Sequence, residues 1–354
     1  MRIKNLSKSL EEADFDAYLV TREPNIIYYA GTISGGVLVV SSERDPVLLV
    51  SRLNLSIAQD QAEGFEIRSY TRQSMLEQIT SVLKELRLER IGFDELSLGH
   101  YRELGENLGS VELVEKPDLV WEMRKVKDAN EQALMRKAGE LSDIGMEAIR
   151  NCLKDDLREY EVAAEAAYAM RKEGAEDYAF PFIVASGPRS AYPHAGVSDR
   201  KIRRGDLVKI DMGAAYHEYR SDNTRTFIIG SPTEKQRTIY ETVLEANEAA
   251  LPEIKEGAAG IEVDKIAREI IEKAGCGEAF IHGLGYGVGL EVHEPPSLSK
   301  RSEDILQVGN VVSNEPGVYL KGFGGVRIED TVLVTPSGPE RLTRFDKDLD
   351  AMRV

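Results

Sequence analysis

The stretch Leu207-Val208-Lys209-Ile210-Asp211-Met212-Gly213-Ala214-Ala215-Tyr216-His217-Glu218-Tyr219-Arg220-Ser221-Asp222-Asn223-Thr224 organises the rest of the chain. Leu207 to Ala214 reads as a buried strand and Glu218 to Ile229 as its return, with the turn near Tyr216-His217. In a regular antiparallel hairpin turned there, Asp211 and Asp222 face each other. Opposed side chains have Cβ atoms about 5 Å apart, so two carboxylates so placed repel unless a proton or cation lies between them. A hard or borderline divalent metal is the obvious cation. A second pair of similar layout follows: Glu315 and Glu329 flank the glycine-rich bend Lys321-Gly322-Phe323-Gly324-Gly325. On this reading the four carboxylates on two hairpins converge into one oxygen-rich site.

A chain of 354 residues with 42% hydrophobic content is expected to form two globular domains. Its 45 basic and 61 acidic residues give a formal charge of −16 with no Lys/Arg run, which argues against nucleic acid as a partner. Met1-Arg2-Ile3-Lys4-Asn5-Leu6-Ser7 leads straight into acidic residues, and no secretory signal or membrane span is visible, so a cytoplasmic location without membrane attachment is expected. Cys152 and Cys276 have no motif spacing and read as ordinary thiols of a reducing compartment.

From Asp16 to about Val120, short apolar strands (Ala17 to Val20, Val37 to Val40, Val47 to Val50, Arg90 to Phe93) alternate with helical patterns, including Leu53 to Gln61 and Gln73 to Leu86. This is a mixed α/β domain without a phosphate loop, and His100 in it reads as a surface or structural histidine. The texture changes between Trp121 and Asp128, which sets the domains at 1–123 and 124–354. A long helix follows, with Leu134, Ala138, Leu141, Gly145 and Ala148 as its apolar stripe, then helices over about 157–173, 234–251 and 263–274. Thr233 with Gln236 forms a capping box, and Gly275 suits the position just past the last helix. Helices on one face of a curved antiparallel sheet make the second domain α+β.

His194 lies in the loop Ser186-Gly187-Pro188-Arg189-Ser190-Ala191-Tyr192-Pro193-His194-Ala195, which enters the first acidic hairpin. His282 and His293 bracket the glycine-rich run from His282-Gly283-Leu284-Gly285-Tyr286 to Val292-His293-Glu294. With Pro193-His194-Ala195, Lys209-Ile210-Asp211-Met212-Gly213, Ser221-Asp222-Asn223-Thr224-Arg225-Thr226, Asn314-Glu315-Pro316-Gly317-Val318-Tyr319 and Gly325-Val326-Arg327-Ile328-Glu329-Asp330, these are six motifs in order. The chain resembles the prolidase (Xaa-Pro dipeptidase) and aminopeptidase P family of pita-bread metallopeptidases over nearly its full length. The resemblance implies a C-terminal pita-bread domain preceded by a smaller creatinase-type α/β domain. It also implies a peptidase acting on Xaa-Pro dipeptides or short proline-containing peptides, and a homodimer. Asp211, Asp222, Glu315 and Glu329 would hold one or two divalent ions (manganese, cobalt or zinc), with Asp222 and Glu329 bridging, and a metal-bound hydroxide would attack the peptide carbonyl. His194, His282 and His293 would hold substrate or stabilise the tetrahedral intermediate. Arg327 and Tyr319 match positions the family uses around the site, and Arg327, two residues before Glu329 on one strand face, could orient that carboxylate or bind a substrate terminus.

One position departs from the pattern. The family has a metal-ligating histidine four residues after the match to His282, where this chain has Tyr286. Ionising a phenol of ordinary pKa at pH 7 costs about 4 kcal/mol, so Tyr286 is a poor ligand and the second ion should bind more weakly. A protein that binds peptides or protein partners without turnover is the alternative. Creatinase-like proteins, which work without metal, lack the carboxylates retained here. Methionine aminopeptidases usually lack the extra N-terminal domain.

Overall fold

A computed structural model describes residues 2–354. The chain divides into one unit ending at Arg124 and a second from Lys125 to Val354. The first is built on a mixed sheet of β1 (Ala17–Val20), β2 (Val37–Ser41), β3 (Val47–Ser51), β4 (Glu66–Tyr70), β5 (Arg90–Phe93) and β6 (Glu112–Glu115), in the order β4-β3-β2-β1-β5-β6. Strands β1, β2 and β3 pair antiparallel, while β3/β4, β1/β5 and β5/β6 run parallel. The helices are α1 (Arg2–Glu12), α2 (Glu23–Ala30), α3 (Leu55–Gln61), α4 (Met75–Lys84), α5 (Leu98–Leu108) and α6 (Asp118–Arg124). The central strands are continuous apolar runs because both faces are covered; Leu19, Val39, Leu49 and Ile91 pack with Val82 and Leu104.

In the second unit, α7 (Ala129–Cys152) packs on α8 (Glu159–Lys172), and α9 (Glu234–Ala250) on α10 (Gly260–Lys273). After the first pair come β7 (Asp177–Tyr178), β8 (Ile183–Ser186), β9 (Leu207–Met212), β10 (Ala214–Tyr216), β11 (Tyr219–Arg220) and β12 (Asn223–Ile228). After the second come β13 (Gly285–Gly287), β14 (Glu294–Leu298), β15 (Val311–Asn314), β16 (Gly317–Leu320), β17 (Gly324–Arg327), β18 (Asp330–Thr335) and β19 (Gly338–Arg341). Every pairing in this unit among the described strands is antiparallel. The helices bury their apolar faces with the strands in one core that includes Met146, Ile149, Val162, Val184, Ile210, Phe227, Val243, Ile271, Val312 and Val332. This is the α+β arrangement expected from the sequence. No helix among the described residues is long and apolar enough to cross a membrane.

Two local expectations are corrected. The hairpin turns one residue later than expected: Tyr216 pairs with Tyr219, and His217 and Glu218 form the turn with φ of 46° and 66°. Moving the turn by one residue moves the register by two, so Asp211 pairs with Thr224, not Asp222. The flanking pairs put Asp222 across from Gly213, in a break of the ladder where its amide donates to Thr331 Oγ1 at 3.0 Å. The stripe of α7 is also rotated. Met135, Ala138, Gly139, Leu141, Ser142, Gly145, Met146 and Ile149 are buried, whereas Leu134 and Ala148 are only half-buried.

Gly139 lets α7 lie directly on the chain at Leu342. A Cβ there would stand 2.3 Å from the Leu342 carbonyl oxygen, a backbone atom that cannot swing aside. Gly139→Ala should therefore destabilise the second unit by about 1–3 kcal/mol, as overpacking does. Urea unfolding should show a lower midpoint with an unchanged slope; an unchanged midpoint would mean that the Leu342 segment yields freely.

Candidate metal centre and active site

The hairpins that carry the acids meet through β12 and the junction of β17 and β18. The Glu329 amide donates to the Thr224 carbonyl at 3.0 Å, and the Thr224 hydroxyl donates to Glu329 Oε2 at 2.6 Å. Across the second hairpin, the register of β15/β18 and β16/β17 puts Glu315 opposite Glu329. Ligand oxygens of Asp211, Asp222 and Glu329 lie within 4.8 Å of one another, all three side chains being buried. Glu315 is outside that tight trio but lines the same cavity of about 380 Å³. Asp211, Asp222, Tyr286, Arg327, His194, His282 and His293 line it as well.

The three clustered carboxylates share one pattern. Asp211 Oδ2 accepts from Arg327, Asp222 Oδ2 from the Tyr286 hydroxyl at 2.7 Å, and Glu329 Oε2 from Thr224. The remaining oxygens, Asp211 Oδ1, Asp222 Oδ1 and Glu329 Oε1, are buried with no hydrogen-bond partner among the described residues. A buried carboxylate oxygen left unpaired costs on the order of 1–3 kcal/mol or more. Three such oxygens at one place are what a divalent cation would satisfy, so the donor set fits a hard metal ion.

The electrostatics agree with the crowding. Burial, then repulsion from Glu329, Asp211 and Glu315, pushes the Asp222 carboxyl well above its ordinary range. Burial and Glu329 do the same to Glu315, and burial and Asp211 raise Glu329 to about 8. Burial, then Asp222 and Glu315, also holds the Tyr286 phenol well above its usual pKa, so it stays a neutral donor to Asp222.

Arg327 does not reach Glu329 directly. Its guanidinium bonds Asp211, the Thr224 hydroxyl at 3.1 Å and the Tyr319 hydroxyl at 3.2 Å, and it touches Glu329 only through Thr224. Tyr319 in turn lies 2.9 Å from His282 Nε2, while His282 Nδ1 lies 2.7 Å from the Gly283 carbonyl. A carbonyl can only accept, so Nδ1 carries the hydrogen and Nε2 accepts from Tyr319. Burial and the Arg327 charge hold His282 neutral, with its pKa pushed down to about 3. His293 is exposed but lies against the Tyr286 ring, with centroids 4.2 Å apart, and desolvation there lowers its pKa. His194 is exposed at the cavity wall.

Thr224 and Thr331 were not anticipated, although both knit the site. Thr331 ties the Asp222 backbone, accepting from its amide at 3.0 Å and donating to its carbonyl at 2.7 Å. Period-two alternation from Asp222 would have singled out Thr224. The loop carrying His194 is seated on β17: the Gly325 amide donates to Ser190 Oγ at 2.9 Å, and a Cβ at Gly325 would meet the Ser190 carbonyl oxygen at 2.5 Å.

Residues 133–336 match metallopeptidase family M24, and residues 2–126 match the creatinase/prolidase N-terminal domain. The chain is 40% identical to the Xaa-Pro dipeptidase of Pyrococcus furiosus, over 98% of this chain and 99% of that one. The crystal structure of the prolidase from Pyrococcus horikoshii superposes with a TM-score of 0.93 at 38% identity, covering 98% of this chain and 99% of that one. An X-Pro aminopeptidase from Thermotoga maritima gives a TM-score of 0.89 at 34% identity over 100% of both chains. Family membership implies a divalent metal, and the unpaired carboxylate oxygens suit one. Two matched domains in series, with full-length relatives, show that this chain belongs to metallopeptidase family M24 and is a prolidase-like metallopeptidase with a creatinase-type N-terminal domain.

Proposed function

We propose that the chain hydrolyses Xaa-Pro dipeptides or short Xaa-Pro peptides at the cluster of Asp211, Asp222, Glu315 and Glu329. The observation that carries this reading is the set of three clustered, buried carboxylates, each with one oxygen unpaired, two of which (Asp211 and Asp222) line a cavity that also presents three histidines. When bound there, a divalent ion supplies Lewis acidity for the peptide carbonyl and for water activation. The protein's own groups do the rest. Arg327 holds Asp211 in place and, through Thr224, Glu329. Tyr319 keeps His282 in one tautomer, with Nδ1 protonated. His194 and His293, at the cavity wall, offer ring N–H groups to a substrate carbonyl or carboxylate. The homodimer that the resemblance implies and the cytoplasmic location expected from the sequence both belong to the proposal.

Tyr286 stands, on this reading, where relatives carry a ligating histidine. It leaves an oxygen-only donor set, which suits manganese better than zinc. Its hydrogen bond occupies Asp222 Oδ2, so one ion is held tightly and a second weakly. The same bond favours the second reading, peptide binding without turnover. Bound metal after purification, and hydrolysis of an Xaa-Pro panel with added manganese, cobalt or zinc, separate the two. Less than one equivalent of metal and no hydrolysis with any ion would favour the binding protein.

Tyr286→His should bind the second ion more tightly and make activity less dependent on added metal; unchanged metal content and rate would refute this account of Tyr286. Glu329→Gln should lower kcat/KM by more than the roughly 10–100-fold typical of outer partners of a metal site, with metal content falling in parallel. A rate within threefold of the parent would exclude Glu329 as a ligand.

The raised carboxyls also give a pH signature. With Glu329 lifted from 4.5 to about 8, its contribution to the stability of the metal-free chain is present below 4.5 and lost as pH rises through about 8. A cation replaces the lost proton, so the gain in Tm from added manganese should widen across that window. Thermal unfolding with and without manganese, stepped through the window, checks it; a gain independent of pH would count against the site.

A further inference from the structure

Strand β9 is buried along its whole length, yet it carries a lysine two residues before Asp211. Alternation puts Lys209 and Asp211 on one face, and the neighbours of Lys209 in the sheet are the small residues Ala185 and Thr226, which leave room for a long side chain. Its Nζ donates to the Tyr192 carbonyl at 2.7 Å and to the Pro193 carbonyl at 3.0 Å, the two peptide groups immediately before His194. It also lies 4.9 Å from the centroid of Tyr319, the ring bonded to His282. The two hydrogen bonds need two N–H donors, which the amine carries in either protonation state.

The base of the same loop is held separately. Glu159, fully buried at the start of α8, accepts from the Ser186 amide and hydroxyl at 2.8 and 2.7 Å, from Arg189, and from the Ser198 amide and hydroxyl at 3.1 and 2.6 Å. These contacts fix the loop on both sides of His194; within the turn the Tyr192 amide donates to the Arg189 carbonyl at 3.0 Å and the Ala195 amide to the Tyr192 carbonyl at 3.3 Å, and Lys209 ties that turn to the sheet. The Tyr192 side chain is 55% exposed and is no substitute anchor.

We propose that Lys209 is a positioning residue that sets where His194 projects into the cavity, by holding the two carbonyls before it. The proposal rests on the reading of His194 as a substrate-binding group. Lys209→Met keeps an unbranched side chain close to the length of the lysine stem and removes the donors. In the manganese-loaded full chain, amide exchange over 192–195 should become at least about tenfold faster while β15 and β18 are unchanged. The kcat/KM should fall about 10–100-fold, chiefly through KM, at unaltered metal content, in line with the loss of an outer-shell positioning partner. Combined with His194→Ala, the substitution should cost little more than His194→Ala alone, because the two act through one group.

Unchanged loop exchange, or a loss that adds fully to that of His194→Ala, would overturn the proposal. If loop exchange rises but His194→Ala leaves kcat/KM intact, the anchor stands and the reading of His194 fails. Lys209→Gln, which retains two N–H donors, serves if the Met variant does not fold: its smaller loss should likewise vanish in the His194→Ala background, and an additive loss would again overturn the assignment.

Discussion

Like-charge repulsion among carboxylates removed from water is the constraint on which the second unit is built. Glu329 and Asp330 are adjacent and equally buried, yet they titrate in opposite directions. Asp330 meets Arg225 at 2.7 Å, Arg341 at 3.0 Å and Lys347 at 3.3 Å, and these cations hold its carboxyl below the ordinary value despite burial. Glu329 faces Asp211 and Asp222 instead, with no cation bonded directly to it, and is pushed up. One residue is thus a completed ion cluster that fastens β18 to β12, and the next is an acceptor still in deficit. A strand that places its neighbours on opposite faces can do both at once.

The backbone around the deficit is as heavily determined as the deficit is open. Arg225 bonds the Thr224 and Glu329 carbonyls as well as Asp330, so the two hairpins are joined through main chain, hydroxyl and guanidinium together. Thr331 takes the amide that Asp222 would otherwise have given to a sheet neighbour. Such a frame holds the carboxylates in place without the side chains having to attract one another, as a preorganised site requires.

The acids and histidines that gather at the candidate site were legible from the chain, because such residues set in apolar or glycine-rich surroundings stand out against ordinary surface charge. Register was not. The turn at His217-Glu218 uses two left-handed residues without the Asn-Gly or Asp-Gly signature that marks such turns, so nothing in the letters placed it one residue later. In the first unit, the inner strands β1, β2, β3 and β5 were readable, whereas β4 and β6, written Glu-Ile-Arg-Ser-Tyr and Glu-Leu-Val-Glu, were not; they are the sheet edges, where charge replaces apolar alternation. Lys209 and Thr224 escaped for a different reason. Each is ordinary alone, and only its two-residue offset from an acid reveals its direction.

The bonds from Arg327, Tyr286 and Thr224 have an effect on ion size as well as on geometry. In each of the three acids one oxygen accepts a hydrogen bond and the other accepts none, so the two oxygens of a carboxylate are unequal and the bare one is the stronger donor to an ion. Calcium takes about six to eight oxygens and often relies on chelating carboxylates to reach that number. A pocket in which each of three acids presents one bare oxygen would favour single-atom contacts, and so would supply such an ion with fewer of them than chelating carboxylates do.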